Sequence, residues 1–242
     1  MPEPAPRTAP RLGIVGAGRL GGALAEAARR AGAPVVLTAT ATAGWQVRER
    51  PEVLLDASSP AALDRIAAYC AESAVPLLTC TSFRDPEHLK VLRRLAETVA
   101  VLRATNLSVG HHLQARLVEH ARTLPGARAA AVSVAERHPS RKAPQPSATA
   151  LALARRWSEQ VEDGAVEVRF DRGGPEVSDH EVTWEWPGGE SVTIRHGVTS
   201  LAGPADAAVA AAARLRHAAP GLYPPDWIHD RDHDDDEEQE QP

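Results

Sequence analysis

The stretch Arg11 to Gly21, R-L-G-I-V-G-A-G-R-L-G, constrains this chain more than any other. Leu12, Ile14 and Val15 read as a short buried strand, and Ala23 to Ala31 as a helix. Between them Gly16, Gly18 and Gly21 make G-x-G-x-x-G. The spacing has a steric logic. The first glycine permits a tight turn, the second lets a pyrophosphate approach the backbone, and the third lets the helix pack on the strand. Unsatisfied N–H groups and the dipole at the helix start then attract phosphate. Gly16, Gly18, Arg19, Leu20 and Gly21 are therefore candidate cofactor-binding residues. The competing explanation is a glycine turn that serves packing alone.

Further apolar runs continue the pattern. Pro34 to Leu37 reads as a second strand ending in Thr38 to Thr42, with no Asp or Glu to bond a ribose hydroxyl. That absence leans toward a phosphorylated ribose, with Thr40, Thr42, Arg48 and Arg50 as candidate contacts; solvated arginines are the alternative. Val53 to Leu55 leads into D-A-S-S-P, Asp56 to Pro60, where Asp56 and Ser58 are candidate cofactor contacts and Ser59 can cap a helix that Pro60 opens. Asp56 contacts a ribose or caps the next helix. Val75 to Leu78 leads into T-C-T-S-F, with Thr79 and Thr81 as candidates, and Asp85 caps the helix that follows. Val99 to Leu102 runs into A-T-N-L-S-V-G, placing Asn106 at a strand end. Strands alternating with helices indicate a parallel sheet covered on both faces. Ligands of such sheets sit at the carboxyl ends of strands, so these loops are expected to line one crevice.

Val109, Leu113, Leu117, Ala121 and Leu124 mark a helix ending at Pro125 and Gly126, and Ala129 to Val134 reads as a strand. The polar stretch with His138, Arg141 and Lys142 precedes a helix that Ser147 or Thr149 can start. That combination suits an anion with carboxylates. From Val166 the period changes to two, with Val182, Trp184 and Trp186 alternating with Thr183 and Glu185, which is an antiparallel hairpin pattern. Its tryptophan face is expected to be covered by self-association or by the chain's own helices. Pro204 to His217 reads as an alanine-rich helix, and the acidic run Asp230 to Glu240 as a solvated tail.

The formal net charge of −5, with no basic run, argues against a nucleic-acid partner. Cys70 and Cys80 make neither a disulfide framework nor a zinc spacing, and they suit a reducing, cytoplasmic setting. No metal site is expected. No apolar run is long enough to span a bilayer, so no membrane partner is expected.

The order of these motifs resembles the dihydrodipicolinate reductase family. D-A-S-S-P resembles the family's D-F-T-x-P, N-L-S-V-G at Asn106 to Gly110 its N-F-S-x-G, and Glu136 to Ala150 its E-x-H-H-x-x-K-x-D-x-P-S-G-T-A. His196 onward and P-G-L-Y at Pro220 to Tyr223 resemble its closing segments. The resemblance implies an α/β fold: a Rossmann-type doubly wound parallel sheet with a second α+β domain containing an open mixed or antiparallel sheet. It implies a dinucleotide-binding domain from 11–105 and 201–229 and a substrate-binding and oligomerisation domain over 106–200; composition and charge add a flexible leader over 1–10 and a disordered acidic tail over 230–242. NADPH or NADH is the implied cofactor, a small cyclic imine acid the implied partner, and a homo-oligomer, tetramer or dimer, the implied assembly. Lys142 is implied as general acid, His138 as its catalytic neighbour, and Ser147, Ala148 and Thr149 as the grip on a substrate carboxylate.

Departures from the family pattern cluster in the same region. T-C-T-S at Thr79 to Ser82 replaces G-T-T-G, Pro139 replaces the second histidine, Pro144 the aspartate, Ala148 the glycine and Leu201 the late arginine. The chain is therefore expected to be an NAD(P)H-dependent reductase, with the family substrate or an altered one. The alternative is a non-catalytic ligand-binding or regulatory relative.

Overall fold

A computed structural model describes residues 9–83, 85–104, 106–139, 146–158, 166–173 and 178–229. The first sheet has seven strands: β1 (Leu12–Val15), β2 (Val35–Thr40), β3 (Gly44–Val47), β4 (Val53–Asp56), β5 (Leu77–Thr79), β6 (Ala100–Arg103) and β11 (Gly221–Tyr223). Their order is β11-β6-β5-β4-β1-β2-β3. All pairs are parallel except β2 with β3. The order reverses beside β1, whose neighbours are β2 and β4, so the switch point of the sheet lies at their carboxyl ends.

Strand alternation decides which residues meet which helices. Leu12, Ile14, Val53, Leu55, Leu78 and Leu102 face α1 (Arg19–Arg30) and α6 (Ala202–Leu215). Ala27 and Ala28 of α1 share that cluster with Ala205, Ala208 and Ala212 of α6, small residues that let two helices approach over one strand pair. Val15, Leu54, Leu77 and Val101 point the other way, to α2 (Leu63–Ser73) and α3 (Pro86–Ala96) through Ile66, Cys70, Leu92 and Leu95. Asp85 caps α3, its carboxylate accepting from Glu87 N–H at 2.9 Å. Strand β3 has no clear periodic signal in sequence. It forms because Trp45 packs on Tyr69 at 5.0 Å, with Arg65 over its ring.

The second sheet is β10-β9-β7-β8, built from β7 (Ala131–Arg137), β8 (Glu167–Asp171), β9 (Ser178–Trp186) and β10 (Glu190–Val198). Strands β7 and β8 are parallel, and the β7–β9 and β9–β10 pairs antiparallel. Its apolar face, with Val134, Val182 and Trp184, is covered by α4 (Val109–Thr123) and α5 (Ala148–Ser158) through Ala115, Val118, Leu153 and Trp157. The chain's own helices are thus the cover for the tryptophan face.

Helix α4 forms where the aliphatic spacing places it but docks by a face other than that aliphatic stripe. Val109, Leu113, Leu117 and Leu124 are exposed, whereas Gln114, Ala115 and Val118 are buried. The amide of Gln114 explains the rotation: its Nε2 donates to the carbonyls of His180 and Ile194 at 2.9 and 3.0 Å. A polar side chain that satisfies two sheet carbonyls turns the helix a third of the way round.

Candidate functional site

A crevice of about 320 Å³ lies where the two sheets' loops meet, and Arg19, Leu20, Cys80, Asn106, His138 and Thr149 are among its walls. On one side stands the glycine turn. Gly16 has φ +108°, and a Cβ there would sit 2.3 Å from the carbonyl oxygen of Ala57. A Cβ on Gly21 would sit 2.0 Å from the carbonyl oxygen of Gly16, so the helix can approach only without one. Gly18 differs: its Cβ direction is open space within 4 Å. It is the N-cap of α1, no side chain caps it, and no acid stands in the first turn. The helix start thus offers an uncapped, positive-ended backbone beside a position with room for a bulky anion.

Beneath the crevice, Asp56 has zero exposure. Its carboxylate accepts from Ser58 N–H at 3.0 Å, Ser58 Oγ at 2.5 Å and Thr79 Oγ1 at 2.7 Å. Thr81 N–H donates to Thr79 Oγ1 at 3.3 Å. A buried carboxylate has to be saturated, and these groups do it. Asp56, Ser58 and Thr79 thus hold one another at the ends of β4 and β5, with the Thr81 N–H joined to them. Cys80 and Ser82 line the wall without filling the space. Burial, and next the Asp56 charge, push the Cys80 thiol well above its ordinary range.

Thr40 ends β2, its Oγ1 accepting from Ala43 N–H at 2.9 Å. Arg50 donates to the carbonyls of Ser73 and Ala74 at the end of α2, at 2.6 and 2.8 Å.

The opposite wall comes from the second sheet and α5. Ser147 Oγ accepts from Ala150 N–H at 3.2 Å and so caps α5. Its own N–H donates to Glu136 Oε1 at 3.0 Å, which removes that N–H from the grip expected for a substrate carboxylate. The first-turn N–H groups of Ala148 and Thr149 have no partner within the helix. Asn106 joins the two halves: its Oδ1 accepts from Ser108 N–H at 2.9 Å and its Nδ2 donates to Thr149 Oγ1 at 3.4 Å. Gly110 is explained by His196, since a Cβ there would meet the ring at 2.7 Å while His196 Nε2 pairs with Ser108 Oγ at 2.8 Å.

His138 and His180 both line the crevice and meet edge to face, with ring centres 5.2 Å apart. Glu136, opposite His180 in the β7–β9 register, lies behind them. Burial raises its carboxyl, but the nearby His180 ring, the Ser147 hydroxyl and N–H, and the His138 charge outweigh that and bring it down to about 2. Arg172 also donates to Glu136 Oε1, at 3.2 Å. Glu136, Arg172 and His180 carry no expected role in the sequence reading, and only the strand register joins residues so far apart in the chain. Lys142 and Arg141 lie outside the described residues, as does the acidic run from Asp230.

A switch-point crevice closed by a second α+β unit defines a two-part protein of the dinucleotide-binding plan. Family models described as dihydrodipicolinate reductase, N-terminus and C-terminus, match residues 10–107 and 110–226. The chain belongs to the dihydrodipicolinate reductase family. It is 32% identical to the 4-hydroxy-tetrahydrodipicolinate reductase of Halorhodospira halophila over 191 residues, 71% of either chain. It is 30% identical to that of Thermomicrobium roseum over 219 residues, 82% of this chain and 81% of that one. In fold it is similar to a dipicolinate-bound dihydrodipicolinate reductase from Paenisporosarcina sp. TG-14, with TM-score 0.66 and 17% identity over 90% of this chain and 98% of that one.

Proposed function

We propose that this chain is an NAD(P)H-dependent reductase of a cyclic imine dicarboxylate, that of the lysine and diaminopimelate route or a close relative. The observation that carries the reading is the pairing across one crevice of an uncapped helix start at Gly18 with the polar wall of His138, Thr149 and His180. Residues 11–105 with 201–229 form the cofactor part in this reading, and 106–200 the substrate part. The glycine turn fits a pyrophosphate, because Gly18 leaves room where Gly16 and Gly21 do not. A reduced nicotinamide held there by the Gly18 turn and the α1 start would supply hydride to the imine carbon. The chain's own residues position the reactants, which is the larger part of such catalysis.

The N–H groups of Ala148 and Thr149 at the α5 start take a substrate carboxylate, helped by the helix dipole. His138 stands beside that position, its ring held against His180. Lys142, from the segment that follows, is the proton donor to the reduced ring in this reading. With no acid at the β2 end, the cofactor site accepts NADPH as well as NADH. The second reading, a non-catalytic ligand binder, is favoured by the Ser82 side chain on the wall where the family carries glycine. Among the described residues no helix is long and apolar enough to cross a membrane. We assign the chain to the cytoplasm and to a homo-oligomer formed through the second domain; sedimentation of the purified chain tests the latter.

The discriminating experiment supplies the cyclic imine dicarboxylate, generated in place, and follows NADH and NADPH consumption separately for wild type and Lys142→Ala. Turnover that collapses in the variant supports the reductase. Nucleotide or dicarboxylate binding without turnover supports the second reading. Turnover unaffected by Lys142→Ala removes that residue from the mechanism.

A further inference from the structure

We propose that Glu136, His138 and His180 form a binding site for one divalent transition-metal ion, with an open coordination position facing the crevice. All three side chains are buried, and one potential ligand atom from each lies within 4.8 Å of the others. Glu136 Oε2 is 3.6 Å from His138 Nδ1 and 3.6 Å from His180 Nε2. Ligand bonds of about 2.0–2.2 Å place neighbouring ligand atoms of a tetrahedral site roughly 3.3–3.6 Å apart. The two carboxylate–imidazole separations match such a site, and the two imidazoles, within 4.8 Å of each other, need at most a small ring movement to complete it.

An independent observation concerns the carboxylate itself. Glu136 Oε1 is held by Ser147 N–H and by Arg172, while the buried Oε2 has no hydrogen-bond partner among the described residues. A buried carboxylate oxygen left with a vacant lone pair calls for a cation or a proton. Separations of 3.6 Å to both imidazoles exceed the ordinary hydrogen-bond range, so a shared proton satisfies it poorly. The arrangement around Oε1 is what a ligating carboxylate needs, since outer hydrogen bonds fix its orientation.

The donor set selects the ion. Two imidazoles and one carboxylate suit zinc, cobalt or nickel, whereas calcium and magnesium prefer all-oxygen sites. His138 and His180 both border the crevice, so the remaining coordination position opens there. Ser147 Oγ lies 3.4 Å from His180 Nε2 and serves as the helix cap. An ion at this place would take an oxygen of an acidic ligand in the crevice. The inference stands whether or not the chain reduces an imine.

The test uses the full chain, treated with a chelator and then titrated with Co²⁺, followed by its visible absorption and by calorimetry. One equivalent with the intense absorption of a four- or five-coordinate ion is expected. His180→Gln should weaken it at least about 100-fold. His138→Gln is the parallel variant, and circular dichroism shows which of the two keeps the fold. His233→Gln, in the acidic C-terminal run, should leave the equivalent unchanged. The proposal is overturned if no equivalent with that absorption appears, if the folded triad variant binds as wild type does, or if His233→Gln abolishes binding.

Discussion

Replacing the three glycines of the turn one at a time with alanine separates packing from ligand approach. At Gly16 the backbone has φ +108° and the new Cβ would lie 2.3 Å from a backbone oxygen. A left-handed or related conformation and an overpacked contact together cost about 2–5 kcal/mol. At Gly21 the conflict is with the carbonyl oxygen of Gly16 at 2.0 Å, and pushing α1 off the strand costs about 1–3 kcal/mol or more. At Gly18 nothing lies within 4 Å, so only the loss of a favourable N-cap residue counts, about 0.5–1 kcal/mol. Nucleotide affinity should invert that order. Gly18→Ala places a methyl where the pyrophosphate approaches and should weaken NADPH and NADH binding tenfold or more, about 1.4 kcal/mol. Urea unfolding read by circular dichroism gives the stability arm, and nucleotide fluorescence titration the binding arm. Wild-type affinity in Gly18→Ala, together with a wild-type unfolding midpoint in Gly16→Ala, would refute the steric reasoning.

Three further outcomes follow from the packing and charge. Asp56→Ala should destabilise by about 3–5 kcal/mol in urea, because it strands the buried hydroxyl of Thr79 and the N–H of Ser58; a change under 1 kcal/mol would show that the network is not closed. On α4, Leu113→Ser should stay within about 0.5 kcal/mol of wild type, whereas Val118→Ala should cost about 1.5–3 kcal/mol; the reverse order would restore the stripe expected from periodicity. Burial, then the neighbouring His180, His196 and Arg156, lower His111 from 6.5 to about 3, against a smaller opposing hydrogen bond from Gln114. The folded chain therefore binds fewer protons than the unfolded one between these values. This contribution to stability is complete above 6.5 and falls as the pH drops toward 3. His111→Gln should flatten the acid side of a stability–pH profile, and an unchanged slope would place the acid sensitivity elsewhere.

Much of the first sheet was legible because its causes are local. Glycine sterics, short aliphatic runs and caps such as Asp85 act within a few residues. The parts that were not legible depend on partners distant in sequence. Gln114 reads as a surface residue until the carbonyls of His180 and Ile194 are found above it, and the aliphatic stripe of α4 points to the wrong face for that reason. The hydrogen bond that Asp56 accepts from Thr79 of the next strand is likewise invisible from either segment alone. Strand β3 depends on Tyr69 and Arg65 of α2. At the candidate site, His138, Ser147 and Asn106 stood out through a run of polar residues before a helix. Glu136 and His180 acquire meaning only from the register of β7 against β9.

The central claim is that a reduced nicotinamide and a ring bearing acid groups meet in the crevice between the glycine turn and the His138 wall. The most direct measurement supplies NADPH deuterated at the transferable position of nicotinamide C4, with the cyclic imine dicarboxylate, and analyses the product by mass spectrometry. The account predicts one deuterium in each reduced ring, matched by one nucleotide oxidised. Reduced ring without deuterium, or nucleotide and imine both left intact while each binds, would contradict it.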